Sequence, residues 1–214
     1  MALILTDAAI TLSGKPLIRP FSLRVEPSET VTLMGPSGAG KSALLAFIAG
    51  DLASPFAASG TVTLDGASLD GLPPERRRIG RLFQDDLLFP HLTVMENLLF
   101  GMPRGKPEER LARAEAALAE AGLAGFGPRP PHTLSGGQRA RVSLLRALLA
   151  EPRAMLLDEP FGKLDAPLRQ AMRDVVFRNI AARGIPCLMV THDAADVPEK
   201  GRVLLLKDGE VRDA

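Results

Sequence analysis

Residues 35–42 are Gly35-Pro36-Ser37-Gly38-Ala39-Gly40-Lys41-Ser42. This loop follows the apolar run Thr30–Met34, which is typical of a strand, and precedes the helix-like run Ser42–Ala49. The glycines let the backbone turn tightly enough for successive N–H groups to face one phosphate at the positive end of a helix. Lys41 adds a positive charge, and Ser42 adds an oxygen for Mg²⁺. Strand, loop and helix together predict a nucleotide phosphate site rather than an ordinary glycine-rich turn.

A second apolar run, Ala154–Asp158, ends in acidic residues, Asp158 and then Glu159. A phosphate loop of this type needs a second strand that carries a carboxylate to hold the metal, and Asp158 is the natural candidate. Glu159 stands one residue further on, where it is placed to polarise the water that attacks the γ-phosphate. Pro160 stops the strand from continuing. The alternative interpretation is a solvated acid pair at the end of a strand.

Strand-like runs alternate in several places with helix-like stretches, which predicts an α/β fold. The runs are Phe21–Glu26, Thr30–Met34, Thr61–Asp65, Ile79–Phe83, Ala154–Asp158, Ile185–Thr191 and Arg202–Lys207, after a first strand within residues 1–12. Met155–Leu157 and Cys187–Val190 are apolar without alternation, as strands buried on both faces of a parallel sheet must be. The strands between Leu3 and Asp65 are separated by turn signals such as Ser13-Gly14 and Asp65-Gly66, which predicts an antiparallel subdomain.

The middle of the chain has a helical pattern. One helix is expected to begin at Pro107 and to end at Gly122, and a second to begin after Ser135 and to stop before Pro152. We therefore expect one domain in which a helical insertion interrupts an α/β core. Residues 1–84 and 154–214 form the core in this interpretation, and residues from about 85 to 153 form the insertion.

Composition limits the partners. The chain has 214 residues, is 46% hydrophobic and 24% charged, and contains one cysteine, so a disulfide scaffold is excluded and a reducing compartment is expected. The net charge of +1 supplies no field that would attract DNA, so no nucleic-acid partner is expected. No apolar run reaches the roughly 18 residues of a membrane span, and no export signal precedes the first strand.

Between the phosphate loop and the acidic strand lies Leu134-Ser135-Gly136-Gly137-Gln138. With this motif the chain resembles the ATP-binding subunits of ABC transporters over nearly its whole length. Further matches follow in the family's order: Gln84, Leu164-Asp165 and Thr191-His192-Asp193. The resemblance implies a P-loop NTPase core with a mainly parallel central sheet, an N-terminal antiparallel β-subdomain and a helical subdomain that carries the signature motif.

The signature motif has a physical rationale. Ser135 is expected to cap the next helix, and Gly136 and Gly137 expose N–H groups at its positive end, which makes a second anion site. In the family, two subunits pack head to tail, and each ATP lies between the phosphate loop of one and the signature motif of the other. The resemblance therefore implies MgATP, a second copy of the chain, and a role for Ser135 through Gln138 in binding the partner's nucleotide.

Individual roles are also implied by the resemblance. The phosphate loop through Lys41 and Ser42 would hold phosphate and Mg²⁺, Asp158 would belong to the metal shell, and Glu159 would act on the water. Gln84 would sense the γ-phosphate and the metal, and His192 would contact the γ-phosphate. Asp165 would couple the two sites across the interface.

The sequence departs from the family at several points. Leu12 stands where an aromatic residue usually stacks on adenine, which predicts weak adenine affinity and modest preference for ATP over GTP. Gly162-Lys163 replaces a common Ser-Ala, and is expected to tune activity. Arg76-Arg77-Arg78 is expected to be a solvated charge run, and Cys187 a small core residue.

The predicted function is an ATPase subunit of an importer, similar to those that serve polyamine, thiamine and metal-ion uptake. It would act at the cytoplasmic face of the inner membrane with transmembrane permease subunits and a separate substrate-binding protein. The segment 86–94 resembles the part that touches the membrane partner, although a core role for Leu87, Leu88 and Phe89 is equally compatible with the sequence. Two alternatives are a soluble ABC-type mechanical ATPase and a nucleotide-binding regulatory subunit without turnover.

Overall fold

The computed structural model describes residues 1–214 and divides them into two compact units. The first unit comprises residues 1–81, 153–159 and 180–214, and the second comprises residues 82–152 and 160–179. Residues 160–179 thus group with the helical segment, whereas the sequence analysis places them in the core. No helix is both long enough and apolar enough to cross a membrane.

The first unit opens with a four-stranded antiparallel sheet in the order β2-β1-β4-β5. Its strands are β1 (Leu3–Leu12), β2 (Lys15–Val25), β4 (Phe56–Leu64) and β5 (Ala67–Ser68). The predicted turns are confirmed, because Ser13 and Gly14 both have positive φ, as do Asp65 and Gly66.

The second sheet of this unit has the order β10-β9-β3-β8-β7-β6. Its strands are β3 (Thr30–Met34), β6 (Ile79–Leu82), β7 (Ala154–Asp158), β8 (Cys187–Val190), β9 (Arg202–Lys207) and β10 (Glu210–Asp213). Strands β9, β3, β8 and β7 pair in parallel, and every residue of β7 and β8 is buried, which confirms the central positions predicted from their unbroken apolar runs.

Two features of this sheet were not predicted. β3 belongs to the parallel sheet, so the antiparallel subdomain is interrupted between β2 and β4. β10 pairs antiparallel with β9 across a turn at Asp208-Gly209, where both residues have positive φ. The Asp-Gly dipeptide is the signal that would have predicted this hairpin.

Helix α1 (Lys41–Ala49) follows β3 and buries Leu44, Leu45 and Ile48 in the core of the first unit. The short helix α2 (Pro74–Arg77) lies beside its C-terminal end. Arg77 corrects one prediction, because it is buried rather than solvated and donates hydrogen bonds to the carbonyl oxygens of Phe47 and Ile48. A cation at the carbonyl end of a helix satisfies acceptors that the helix itself leaves unpaired.

The second unit is mainly helical, with α3 (Val94–Gly101), α4 (Pro107–Glu120), α5 (Gly136–Leu149) and α6 (Ala166–Arg183, of which the last four residues belong to the first unit). Helices α3, α4 and α5 pack on one another. The predicted start at Pro107, the terminator Gly122 with a φ of 67°, and the cap at Ser135 are all confirmed.

Candidate nucleotide site

The phosphate loop connects β3 to α1, and two of its glycines are required by close contacts. A Cβ added to Gly35 would stand 2.4 Å from the carbonyl oxygen of Leu206, which is backbone and cannot move aside easily. Gly40 has a φ of 101°, and a Cβ there would stand 2.8 Å from Cδ2 of Leu17. The two ends of the loop are therefore packed closely against their own unit, whereas residues 36–38 between them are exposed.

Lys41 is buried in this loop, with 8% of the residue exposed. Its Nζ donates to the carbonyl oxygens of Gly35, at 2.8 Å, and Pro36, at 2.9 Å. An ammonium group has three donors, so these two bonds orient the group and leave one N–H for another acceptor. A phosphate oxygen is an acceptor of the right charge for such a buried cation.

Asp158, at the end of β7, is also buried, with 5% of the residue exposed. Loss of solvent raises the pKa of its carboxyl group, and a hydrogen bond donated by the Ser42 hydroxyl opposes that rise. A carboxylate and a hydroxyl side by side are the hard oxygen ligands that Mg²⁺ prefers. The donor chemistry of Ser42 and Asp158 therefore fits the predicted metal.

Glu159 lies at the sharp turn that ends β7. Its φ is 49°, a conformation that L-residues rarely adopt, and its N–H donates to the Val190 carbonyl oxygen at 2.9 Å. His192 Nδ1 lies 2.9 Å from Glu159 Oε1, and the hydrogen bond from His192 together with the negative charge of Glu159 raises the imidazole pKa. The predicted pair Glu159 and His192 is thus brought together, and most of the His192 side chain remains exposed.

Sequence reasoning assigned no role to two buried residues beside His192. Thr191 Oγ1 lies 3.0 Å from Asp196 Oδ2 and 3.4 Å from Glu159 Oε2, and it accepts a hydrogen bond from the N–H of Asp193 at 3.1 Å. These contacts hold the turn that carries His192. A threonine at the end of a buried strand, with an acid five residues later, is too common a pattern to predict them.

A cavity of about 570 Å³ lies beside the phosphate loop. It is lined by Pro16, Leu17, Arg19, Asp208, Gly209 and residues 36–39. Leu12 is not among the lining residues; it lies at the end of β1, where it pairs with Lys15 and Phe56. The apolar surface nearest the loop is therefore supplied by Pro16 and Leu17.

The signature motif, in the second unit, forms a capping box at the start of α5. Ser135 Oγ accepts from the Gln138 N–H at 3.3 Å, and Gln138 Oε1 accepts from the Ser135 N–H at 2.8 Å. The Ser-x-x-Gln spacing is a known signal for this arrangement. The N–H groups of Gly136 and Gly137 belong to the first turn, which has no earlier carbonyl oxygens to bind, so they mark a second anion-attracting end.

The remaining predicted residues also lie in the second unit. Asp165 caps α6, because its Oδ1 accepts from the Leu168 N–H at 3.1 Å. Gln84 is exposed, two residues beyond the end of β6. In the first unit, Cys187 is completely buried, which confirms its place in the core and raises its pKa to about 12.

A glycine-rich loop between a parallel strand and a helix, with acidic residues at the end of another strand of the same sheet, defines a P-loop nucleotide-binding protein. The family model described as "ABC transporter" matches residues 18–162. The chain belongs to the ABC transporter family. It is an ATP-binding subunit, the ATPase component of these transporters.

The chain is 45% identical over 203 residues to the uncharacterized ABC transporter ATP-binding protein YnjD of Escherichia coli, with 94% of each chain covered. It is 41% identical to the Fe(3+) ions import ATP-binding protein FbpC of Rhizobium etli, covering 91% of this chain and 55% of that protein. The chain thus spans about half the length of this iron-import relative. Among solved structures, the dimeric ATP-binding cassette MJ0796 with ADP and Pi is similar, at a TM-score of 0.86 and 32% identity, with 99% and 97% coverage.

Proposed function

We propose that the chain hydrolyses MgATP with Lys41, Ser42, Asp158, Glu159 and His192 as the reacting half of its site. The observation that carries this proposal is the contact between Glu159 and His192 at the turn that ends β7. It is supported by the buried Lys41 and by the Ser42–Asp158 hydrogen bond in the same unit.

The phosphate loop binds the β- and γ-phosphates through its N–H groups and Lys41. Ser42 and Asp158 would hold Mg²⁺, which would neutralise phosphate charge. Glu159 accepts a proton from the water whose oxygen forms the new bond to the γ-phosphorus. The bond between that phosphorus and the bridging oxygen breaks, and ADP leaves with the electron pair. His192 contacts the γ-phosphate and holds the Glu159 carboxylate through its Nδ1.

The second half of the site comes from another copy of the chain. Ser135, Gly136, Gly137 and Gln138 present a capped helix N-terminus, which attracts anions but carries no lysine of its own. We propose that two copies pair head to tail, so that this N-terminus faces the γ-phosphate on the partner, with Asp165 and Gln84 at the interface. The dimeric cassette MJ0796 supports this arrangement by its similarity.

The assembly is proposed to drive import through transmembrane permease subunits at the cytoplasmic face of the inner membrane, with a separate substrate-binding protein. The relative FbpC, an import ATP-binding protein, supports this proposal. The segment 86–94 and helix α3 also support it, because Leu87 is 54% exposed and Phe100 is 68% exposed.

The test is turnover by the Glu159→Gln variant with MgATP. Loss of the proton acceptor is expected to reduce kcat by about 10²–10⁴-fold while ATP binding persists. The variant is also expected to accumulate an ATP-bound dimer in size-exclusion chromatography. An unchanged kcat would show that Glu159 is not the base, and an absence of ATP hydrolysis by the parent chain together with its permease would reject the proposed function.

A further inference from the structure

Asp86 connects three parts of the second unit that are distant in sequence. Its Oδ1 lies 3.2 Å from Lys163 Nζ, and its Oδ2 lies 3.4 Å from Arg139 Nε. Asp86 follows Gln84 in the loop after β6, Arg139 lies in the first turn of α5, and Lys163 precedes Leu164-Asp165. The Asp86 carboxylate, in the loop that follows Gln84, thus contacts two other segments, the first turn of α5 and the segment before Asp165.

The surroundings restrict these side chains further. The Asp86 side chain is only 13% exposed, although Lys163 and Arg139 remain about 40% exposed. Arg139 also donates to the Leu134 carbonyl oxygen at 2.6 Å. The carbonyl oxygen of Lys163 lies 3.2 Å from where a Cβ on Gly137 would stand, so the backbone at 163 already lies against the signature helix.

We propose that Asp86 and Lys163 are positioning residues that tie the loop after Gln84 to the segment before Asp165. Neither touches the reacting atoms. Lys163 belongs to the Gly162-Lys163 pair that departs from the common Ser-Ala. Arg139, in the first turn of α5, is the third member of this cluster of charged side chains.

The charges explain why the cluster holds together. The Asp86 carboxylate is attracted by both cations, Lys163 and Arg139. The conformational entropy lost when its side chain is ordered is offset by two ion pairs rather than one. An isolated exposed ion pair contributes little to stability, but here the Asp86 carboxylate that accepts both contacts is largely shielded from water. If the Lys163 charge is removed, the Asp86 carboxylate retains only its 3.4 Å contact with Arg139. The loop after β6 then loses its ion pair to the segment before Asp165.

The functional consequence rests on the proposed roles of Gln84 and Asp165. In the proposed roles, Gln84 senses the γ-phosphate bound to its own copy, and Asp165 lies at the interface with the other copy. A movement of the loop after Gln84 would then be transmitted through Asp86 and Lys163 to the segment before Asp165, within the same unit. Lys163 should then affect the rate of the step after ATP binding more than the binding itself.

The first test is amide hydrogen exchange of the purified chain without nucleotide. Lys163→Met is expected to speed exchange in residues 83–92, some 70 to 80 positions away in sequence, by about two- to five-fold. Lys163→Arg should restore the slow exchange. Lys106→Met is the matched control, because Lys106 is an exposed cation of the same unit with only a local ion pair to Glu109, at 3.1 Å.

Repeating the exchange experiment at high salt distinguishes an ion-pair effect of Lys163 from an effect of its packing. At 1 M salt the Debye length falls to about 3 Å, and the difference between the parent and Lys163→Met should shrink. Equal exchange in residues 83–92 for the parent and for Lys163→Met would overturn the proposal, as would an equal effect of Lys106→Met.

The second test is kinetic. Lys163→Met is expected to lower kcat for ATP about two- to five-fold with little change in KM, and Lys163→Arg to recover it. A rise in KM without a fall in kcat would overturn the role in coupling. The exchange experiment requires neither ATP nor turnover. Its result can therefore be interpreted even if the proposed function is wrong.

Discussion

The two anion-attracting regions of the molecule are built very differently. In the loop 35–42, a methyl group on Gly35 would collide with the Leu206 backbone, and Lys41 is a buried cation. At the start of α5, a Cβ on Gly136 would meet nothing closer than 3.9 Å, and Ser135 is exposed. The first region thus holds a buried, hydrogen-bonded cation, whereas the second is an open helix end.

This difference is the basis of our proposal that one chain binds ATP through its own phosphate loop and needs a second copy for hydrolysis. A buried lysine with a spare donor holds phosphate without help. An exposed helix N-terminus stabilises a nearby negative charge by only about 0.3–1 kcal/mol, which is too little to bind phosphate by itself. It can therefore contribute only where another group already holds the phosphate beside it. The following predictions test this contrast, in decreasing order of expected effect.

Gly35→Ala should be the most damaging change. Its Cβ would stand 2.4 Å from the Leu206 oxygen, so the loop or β9 must shift, at a cost of about 3 kcal/mol or more in the free energy of unfolding. Gly136→Ala is the matched control, because the same added carbon finds space there. Thermal unfolding of both variants measures the difference, and equal melting temperatures would contradict the contrast.

Leu12→Tyr should add a stacking surface if adenine lies over the end of β1. Stacking on an aromatic ring is worth about 1–3 kcal/mol per base, so ATP affinity should rise about 5- to 150-fold, with no matching rise for tripolyphosphate. Equilibrium titration with both ligands checks this. An unchanged ATP affinity would contradict stacking of adenine at position 12.

Two substitutions at Ser135 separate capping from anion binding. Ser135→Ala should cost about 1 kcal/mol of unfolding free energy, because the Gln138 N–H loses its acceptor. Ser135→Asp keeps an N-cap but places a negative charge where a partner's phosphate would approach. It should therefore unfold near the parental temperature and yet fail to form the ATP-dependent dimer; normal dimer formation would show that α5 does not face nucleotide.

The smallest effect concerns pH. Glu159 raises the pKa of His192 above its ordinary value near 6.5, so the ion pair contributes fully below that value and is lost as pH rises through the raised pKa. Glu159→Gln should lower the His192 pKa toward 6.5. The chain has three histidines, so an NMR titration assigned with His192→Gln can follow it. A pKa that stays raised in Glu159→Gln would exclude Glu159 as the cause.

The local signals in the sequence predicted much of this molecule correctly. β3, β7 and β9 have the predicted bounds, and the ends of α4 and α5 lie where Pro107, Gly122, Ser135 and Pro152 indicate. These features depend on residues close together in the chain: proline and glycine conformations, side-chain caps, and unbroken apolar runs. The hairpin at Asp208-Gly209 carried the same kind of signal but was not predicted.

The sequence by itself determined the phosphate loop, the acidic strand end and the family, because each is written in a short stretch whose chemistry needs particular residues in order. Only the tertiary structure decided that Arg77 closes the end of α1, that Thr191 and Asp196 support the His192 turn, and that Asp86 meets both Lys163 and Arg139. Those contacts join residues up to 77 positions apart. Their distances depend on how whole helices and strands pack, which no local pattern records.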